Sequence, residues 1–350
     1  MRAPMLLLLA GCSKPYADLP QLSFEEVPYD NPLMSTEDAV ITAFDTQLSC
    51  PDGTNARLFA LYRSGATESS PVAIVLHSGA FDYSDIEGKG YHNDSRLNRS
   101  WAISKVWETL GMNPEAVDPA ETHDEALTAA LTDSGFIQLY PGNCWGDLWH
   151  NEQGYQDNDA AIEGFSRNGR TFAYWMIRLL VETSFSASQE FELPVAWNTS
   201  EVYLIGLGDG GRGVAEVLSH DNLPDIQGVL VDSSPDLLSP YLNDPGTWSE
   251  EVDGLNLIFG EKNTENIDDW SMAALQESDL LPERVGFLWS DGDPRQPVET
   301  MSSTAEALAT DSAFWVENMH SSQHIHLGND IDLAQDAVDY LLTGNVPTSE

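Results

Sequence analysis

With 350 residues, of which 41% are apolar, the chain is long enough to bury a full hydrophobic core and too apolar to be an intrinsically disordered protein. It carries 15 lysine and arginine residues against 57 aspartate and glutamate residues, a formal net charge of -42. A surface of that sign repels nucleic acid phosphates, so we predict no nucleic acid partner.

The N-terminus has the pattern of an export signal. Arg2 provides a positive start, an apolar stretch runs from Met5 to Leu9, and the sequence Leu-Ala-Gly-Cys then ends at Cys12. This pattern resembles the bacterial lipobox, in which the cysteine is lipidated and becomes the mature N-terminus. The resemblance implies a signal peptide over residues 1–11 and a protein held at the membrane of the bacterial cell envelope by acyl chains on Cys12.

A proline-containing segment follows the predicted anchor. Residues 12–38 read as an extended tether, which places the folded domain at residues 39–350. Export would bring the two remaining cysteines, Cys50 and Cys144, into an oxidising compartment. We therefore predict a disulfide bond between them, with two unpaired buried thiols as the alternative.

The rest of the sequence alternates between apolar runs and helical patterns. Segments 39–48 and 56–63 flank a Pro-Asp-Gly turn and predict an antiparallel hairpin. Short continuous apolar runs, typical of strands buried on both faces, follow at 72–77, 136–140, 202–206, 228–232, 285–289 and 313–317. Helical patterns are found at 124–133, 159–183, 211–219 and 330–343. The alternation predicts a mainly parallel sheet covered on both faces, with cap-like insertions at 82–123 and 236–282.

A first candidate motif directly follows the strand at 72–77. His77, Ser78, Gly79 and Ala80 are similar to the His-Gly-Gly-Gly loop whose backbone N–H groups bind the oxyanion of a tetrahedral intermediate. Ser78 stands in place of the first glycine. The alternative, non-catalytic interpretation is an ordinary turn at the end of a strand. Under the catalytic interpretation, Ser78, Gly79 and Ala80 are oxyanion-hole candidates.

A second motif joins a strand to a helix through a glycine-rich turn. Gly206 and Gly210 stand two residues before and two residues after Gly208, as the small residues do in a nucleophile elbow. Glycine at the apex offers no group that could attack a carbonyl carbon. The backbone of Asp209 is a further oxyanion-hole candidate. Asp209 is also an alternative nucleophile, but that register would put Leu207 where the tight turn needs a small residue.

A third motif comes from two loops near the C-terminus. Asp293 follows the strand at 285–289, and His324 follows the last predicted strand. The nucleophile elbow, Asp293 and His324 follow one another in this order along the chain. In such an arrangement Asp293 would orient His324 as a general base. His326 is the alternative histidine, and Asp232, at the end of the preceding strand, is the alternative acid. If these residues have no catalytic role, Asp293 is a turn residue and His324 belongs to a surface cluster of histidines.

The hairpin, the alternating strands and helices, and the order of the three motifs resemble the α/β-hydrolase fold over about residues 39–343. The resemblance implies a small-molecule ester or peptide ligand and no cofactor. Because Gly208 occupies the nucleophile position, we predict a protein impaired in serine-type ester or amide hydrolysis that acts as a binding module. The alternative is an active carboxylic-ester hydrolase that uses another nucleophile with Asp293 and His324.

The same glycines permit a different interpretation. Gly206, Gly208 and Gly211 also match the fingerprint of NAD(P)-binding Rossmann-like proteins, and Asp232 stands where a ribose-binding acid is expected. The motif lies deep in the chain rather than at the start of a domain, and the predicted export argues against a nicotinamide cofactor. The histidines and cysteines show no spacing diagnostic of a metal site, so no metal is predicted.

Overall fold

The strands that the structure describes form one sheet. The computed structural model describes residues 23–28, 39–49, 55–63, 65–76, 125–141, 200–219, 225–249, 252, 268, 271–294, 296–323 and 325–347. Its strands are β1 (Ser23–Pro28), β2 (Ala39–Ser49), β3 (Asn55–Arg63), β4 (Val72–Leu76), β5 (Ile137–Pro141), β6 (Val202–Leu207), β7 (Ile226–Asp232), β8 (Val285–Trp289) and β9 (Trp315–Asn318). Its helices are α1 (Glu125–Asp133), α2 (Asp209–Leu218), α3 (Ser239–Asn243), α4 (Met272–Glu277), α5 (Glu299–Leu308) and α6 (Ile331–Thr343).

The strand order is β1-β2-β3-β5-β4-β6-β7-β8-β9. The pairs β1·β2, β2·β3 and β3·β5 are antiparallel, whereas β4, β5, β6, β7, β8 and β9 pair in parallel. The predicted N-terminal hairpin and mainly parallel sheet are therefore confirmed. In a parallel sheet the carboxyl ends of the strands meet at one edge, where ligands usually bind. The ends of β6, β7, β8 and β9 share this edge.

The edge strand β1 lies inside residues 12–38, the segment predicted to be a tether. It pairs with β2 from Ser23 opposite Asp45 onwards. Its sequence suits an edge, because Glu25 and the closing Pro28 discourage further strand pairing. The sheet thus extends beyond the boundary that the apolar pattern indicated.

Alternate side chains of the parallel strands pack into two cores, one on each face of the sheet. In β4, Val72, Ile74 and Leu76 join the core that contains residues of α2, α4 and α5. Ala73 and Val75 point to the opposite face and join the core that contains residues of α1 and α6. All five side chains are buried. Burial on both faces explains why these strands read as continuous apolar runs.

Helix α5 was missed by the sequence prediction. Its serine and threonine residues are weak helix formers, so no helical segment was expected there. Met301, Ala305 and Leu308 nevertheless form a buried stripe at helical spacing. The predicted helix at 159–183 and the predicted insertion at 82–123 lie outside the described residues. Among the helices that the structure describes, none has the length and apolar character needed to span a membrane.

A buried polar cluster connects α2, the loop after β7, α4 and α5. The carboxylate of Asp236 accepts a hydrogen bond from the backbone N–H of Met272 at 2.8 Å and one from Oγ1 of Thr304 at 2.6 Å. Nη1 of Arg212 donates to the backbone carbonyl of Asp236 at 2.6 Å. Burial raises the pKa of Asp236, and the bonds from Met272 and Thr304 oppose that rise.

The raised pKa of Asp236 predicts a pH dependence of stability. The folded protein holds the Asp236 proton more tightly than the unfolded chain does, so this residue makes the free energy of unfolding fall as pH rises through the raised pKa. Asp236→Asn should remove that contribution, which urea unfolding at a series of pH values would measure. Parallel profiles for wild type and Asp236→Asn would contradict this prediction.

Candidate active site at the carboxyl edge of the sheet

The turn between β6 and α2 is made by Gly208, which has φ 52° and ψ -125°. A positive φ favours glycine and strains other residues. The N–H of Gly208 donates to the carbonyl of Asp232 at 2.8 Å, and its own carbonyl accepts from Gly211 at 3.0 Å. Helix α2 begins at Asp209, two residues before the predicted start. Its first N–H groups therefore come directly after this turn.

Two further glycines let β6 and α2 pack closely. A Cβ atom on Gly206 would overlap the backbone of Gly211. A Cβ atom on Gly211 would lie 2.5 Å from Cγ1 of Val231 and 2.6 Å from Cβ of Ser234. Close packing of strand, turn and helix thus explains the glycine spacing without any bound nucleotide.

This packing predicts that Gly206→Ala destabilises the fold by about 3 kcal/mol, because the overlap is with backbone that cannot move aside. Urea unfolding monitored by tryptophan fluorescence would measure the loss. Gly65→Ala is the matched control, since a Cβ atom there would meet no atom within 4 Å. Equal stability of the two variants would show that the strand and helix do not pack as described.

Asp232, the last residue of β7, pairs with His326 in the loop before α6. Its Oδ2 accepts hydrogen bonds from the backbone N–H groups of His326 at 2.6 Å and Leu327 at 2.8 Å. Its Oδ1 lies 3.0 Å from Nδ1 of His326. The side chains of Asp232 and His326 are 0% and 4% exposed. A carboxylate so engaged is not available to a ribose, which counts against the dinucleotide interpretation.

The pair fixes the tautomer of the histidine. A carboxylate oxygen only accepts, so Nδ1 of His326 carries a proton, and in the neutral ring Nε2 then presents its lone pair. Among the described residues, Nε2 is buried and has no hydrogen-bond partner. An unsatisfied buried polar atom costs about 1–3 kcal/mol and calls for an explanation. A base with a free lone pair facing a ligand is such an explanation.

Strained backbone flanks the pair on both sides. Ser233 has φ 55° and Ile325 has φ 64°, a conformation that is rare for a β-branched residue. Oγ of Ser233 donates to Oδ1 of Asp232 at 2.8 Å, and Nε2 of Gln296 donates to the carbonyl of Ser233 at 2.7 Å. Strain of this kind is concentrated at functional sites, where surrounding contacts hold it in place.

The structure thus brings together the alternative acid and the alternative histidine. Asp293 is buried in the loop after β8, and His324 lies outside the described residues, so their pairing stays a prediction. The backbone of Asp209 opens α2, as an oxyanion-hole contribution from a helix N-terminus requires. The other predicted site residues also lie outside the described part of the chain: Cys12, Cys50, Ser78, Gly79, Ala80 and Cys144.

A second pair of aspartate and histidine lies on the surface nearby. Oδ2 of Asp291 is 3.0 Å from Nδ1 of His320, and these side chains are 46% and 73% exposed. The hydrogen bond from His320 is the main cause that lowers the pKa of Asp291. Water screens such a pair, so it contributes little to stability. Within the described residues, no cluster of three or more potential metal ligands is found.

No family model and no curated protein matches this sequence. Solved structures are similar to it. The match with an S-formylglutathione hydrolase from Agrobacterium tumefaciens has a TM-score of 0.53 at 10% identity and covers 91% of this chain and 98% of that one. The match with an acetyl xylan esterase from Paenibacillus sp. R4 has a TM-score of 0.50 at 14% identity and covers 92% and 88%. The chain has the α/β-hydrolase fold, as predicted.

Proposed function

We propose that this chain is an esterase-like protein that lacks serine-type acyl-enzyme chemistry, because Gly208 stands at the nucleophile position of the turn after β6. The observation that carries the proposal is the buried Asp232–His326 pair, joined to that turn by the hydrogen bond from Gly208 to Asp232. The chemical centre of a serine hydrolase without its serine would look like this. A small-molecule ester or peptide is the proposed ligand.

The hydroxyl of Ser233, which contacts both Asp232 and His326, does not replace the missing nucleophile. Ser233 is buried, and its Oγ donates to Oδ1 of Asp232 and lies 3.3 Å from Nδ1 of His326. A nucleophile must give its proton to Nε2, the nitrogen on the other side of the ring. Ser233 therefore supports the acid and does not attack a substrate.

The full wild-type chain tests this proposal. A fluorophosphonate probe reacts with activated serine residues, and a nitrophenyl ester leaves an acyl group on them. Intact-mass measurement should show neither adduct after incubation with either reagent. A stoichiometric adduct on any serine would overturn the proposal.

A binding module is the second candidate, favoured by the same lack of a side chain at Gly208. Such a protein would bind a short-chain ester, measured by calorimetry, without turning it over. His326→Ala should weaken that binding, because Nε2 is a buried polar atom that has no hydrogen-bond partner among the described residues and that a ligand could contact.

We also propose that the protein is held at the bacterial cell envelope by a lipid on Cys12, on the strength of the Leu-Ala-Gly-Cys sequence. Cys12→Ser should move the full chain from the membrane fraction to the soluble fraction. A protein that remained equally in the membrane fraction would contradict the lipid anchor.

A further inference from the structure

We infer that the Asp232–His326 pair acts as a general base on water, so that an ester is hydrolysed by direct attack without a covalent enzyme intermediate. This inference rests on the proposed function, because it takes Gly208 as the nucleophile position. Water takes the place of the attacking group that a side chain there would provide. The substrate class is carboxylic esters with a good leaving group.

The histidine is prepared for this role. The bond to Asp232 keeps the proton on Nδ1, which leaves the lone pair of Nε2 free to accept a proton from water. The positive charge that then develops on the ring is stabilised by the adjacent carboxylate. Because the His326 side chain is 4% exposed, this electrostatic stabilisation is screened little by solvent.

The turn provides the place for the water. Glycine at position 208 lacks the hydroxymethyl group of a serine, a difference of about 30 Å³, which is the share of one water molecule in the liquid. Gly208 and His326 both bond to Asp232, so the missing side chain and the base share one edge of the sheet. A water molecule there would occupy the position of the serine hydroxyl.

The reaction balances with water as the only co-reactant. The water oxygen forms a bond to the ester carbonyl carbon while one of its protons moves to Nε2 of His326. The resulting oxyanion is stabilised by N–H groups at the N-terminus of α2, beginning with Asp209. The bond between this carbon and the alkoxy oxygen then breaks, and Nε2 returns the proton to the leaving alcohol. The products are a carboxylic acid and an alcohol, and the enzyme is unchanged.

Asp232→Asn separates this role from a structural one. Its carboxamide oxygen can still accept the two backbone N–H bonds that Oδ2 accepts now, so the fold should be kept. The carboxamide nitrogen, however, would donate to Nδ1 of His326 and move the ring proton to Nε2. The histidine would then be the wrong tautomer to act as a base.

The test measures turnover of a panel of nitrophenyl esters by the full chain. We expect kcat to fall by about 10²-fold to 10⁴-fold in His326→Ala and Asp232→Asn, with KM unchanged in Asp232→Asn. Product release should show no initial burst, and the rate should be lower in D₂O. His320→Ala and Asp291→Asn remove the exposed pair, which has the same nitrogen-to-oxygen distance, and should leave turnover unchanged.

Three results would overturn the inference: no turnover of any ester by the wild type, full turnover by Asp232→Asn, or a burst with an acyl group on His326. The last would make the histidine itself the nucleophile. Labelling of Gly208→Ser by a fluorophosphonate separates this inference from the proposed function. If that variant is labelled while the wild type is inactive, Gly208 is the nucleophile position and only the water step is wrong.

Discussion

Gly208→Ser should turn this protein into a target for fluorophosphonate probes, with labelling at least about 10²-fold faster than in the wild type. The backbone at residue 208 already has the positive φ of a strained turn between strand and helix. A serine there would place its Oγ at the carboxyl edge, the edge that also carries His326, whose Nε2 has no hydrogen-bond partner among the described residues. We expect Nε2 to accept the proton of that hydroxyl. Intact-mass measurement of the adduct against time gives the labelling rate.

The same substitution should also lower stability. A residue other than glycine at φ 52° carries a strain of about 1–3 kcal/mol, so thermal unfolding must first show that the variant is folded. Gly208→Ser combined with His326→Ala should lose the labelling, since the base is removed. Gly65→Ser is the matched control for a serine placed at an exposed glycine and should not be labelled. A folded Gly208→Ser variant that stays unlabelled would exclude this turn as the nucleophile position.

Much of the sheet could be predicted from sequence because its strands are buried on both faces. The runs at 202–206 and 285–289 are continuous and apolar, and they became β6 and β8 with nearly the same bounds. Other elements lack such a signal. Helix α5 has a polar sequence and owes its buried stripe to the tertiary fold, and β1 is an edge strand whose glutamates interrupt the apolar pattern.

The sequence pattern could not show which aspartate pairs with which histidine. Asp232 is the last residue of β7 and Asp293 follows β8, and both strands end at the same edge, so the order of motifs fits either acid. The choice depends on the loop before α6, in which Ile325 takes φ 64° and the next two N–H groups point at Asp232. Nothing in the sequence predicts a left-handed isoleucine, because the conformation is imposed by its burial and by the bonds around it.

Asp232→Ala should lower the free energy of unfolding by about 3–5 kcal/mol, because it removes one partner of a buried pair. The backbone N–H groups of His326 and Leu327 and the Nδ1–H of His326 would all lose their acceptor. Urea unfolding at neutral pH would measure this loss.

The exposed pair provides the control for this prediction. Asp291→Ala breaks a contact of the same 3.0 Å length, but water replaces it, so the unfolding midpoint should not move. The free energy of unfolding of Asp232→Asn should lie much closer to that of the wild type than the value for Asp232→Ala does. The carboxamide oxygen of the asparagine keeps the two hydrogen bonds from the backbone. If Asp232→Ala and Asp291→Ala were equally stable, the carboxylate of Asp232 would not be buried at the end of β7, and the histidine would have no fixed tautomer. The loss of stability in Asp232→Ala therefore measures the same contacts that hold the proton on Nδ1 of His326, on which the proposed role of Nε2 as a base depends.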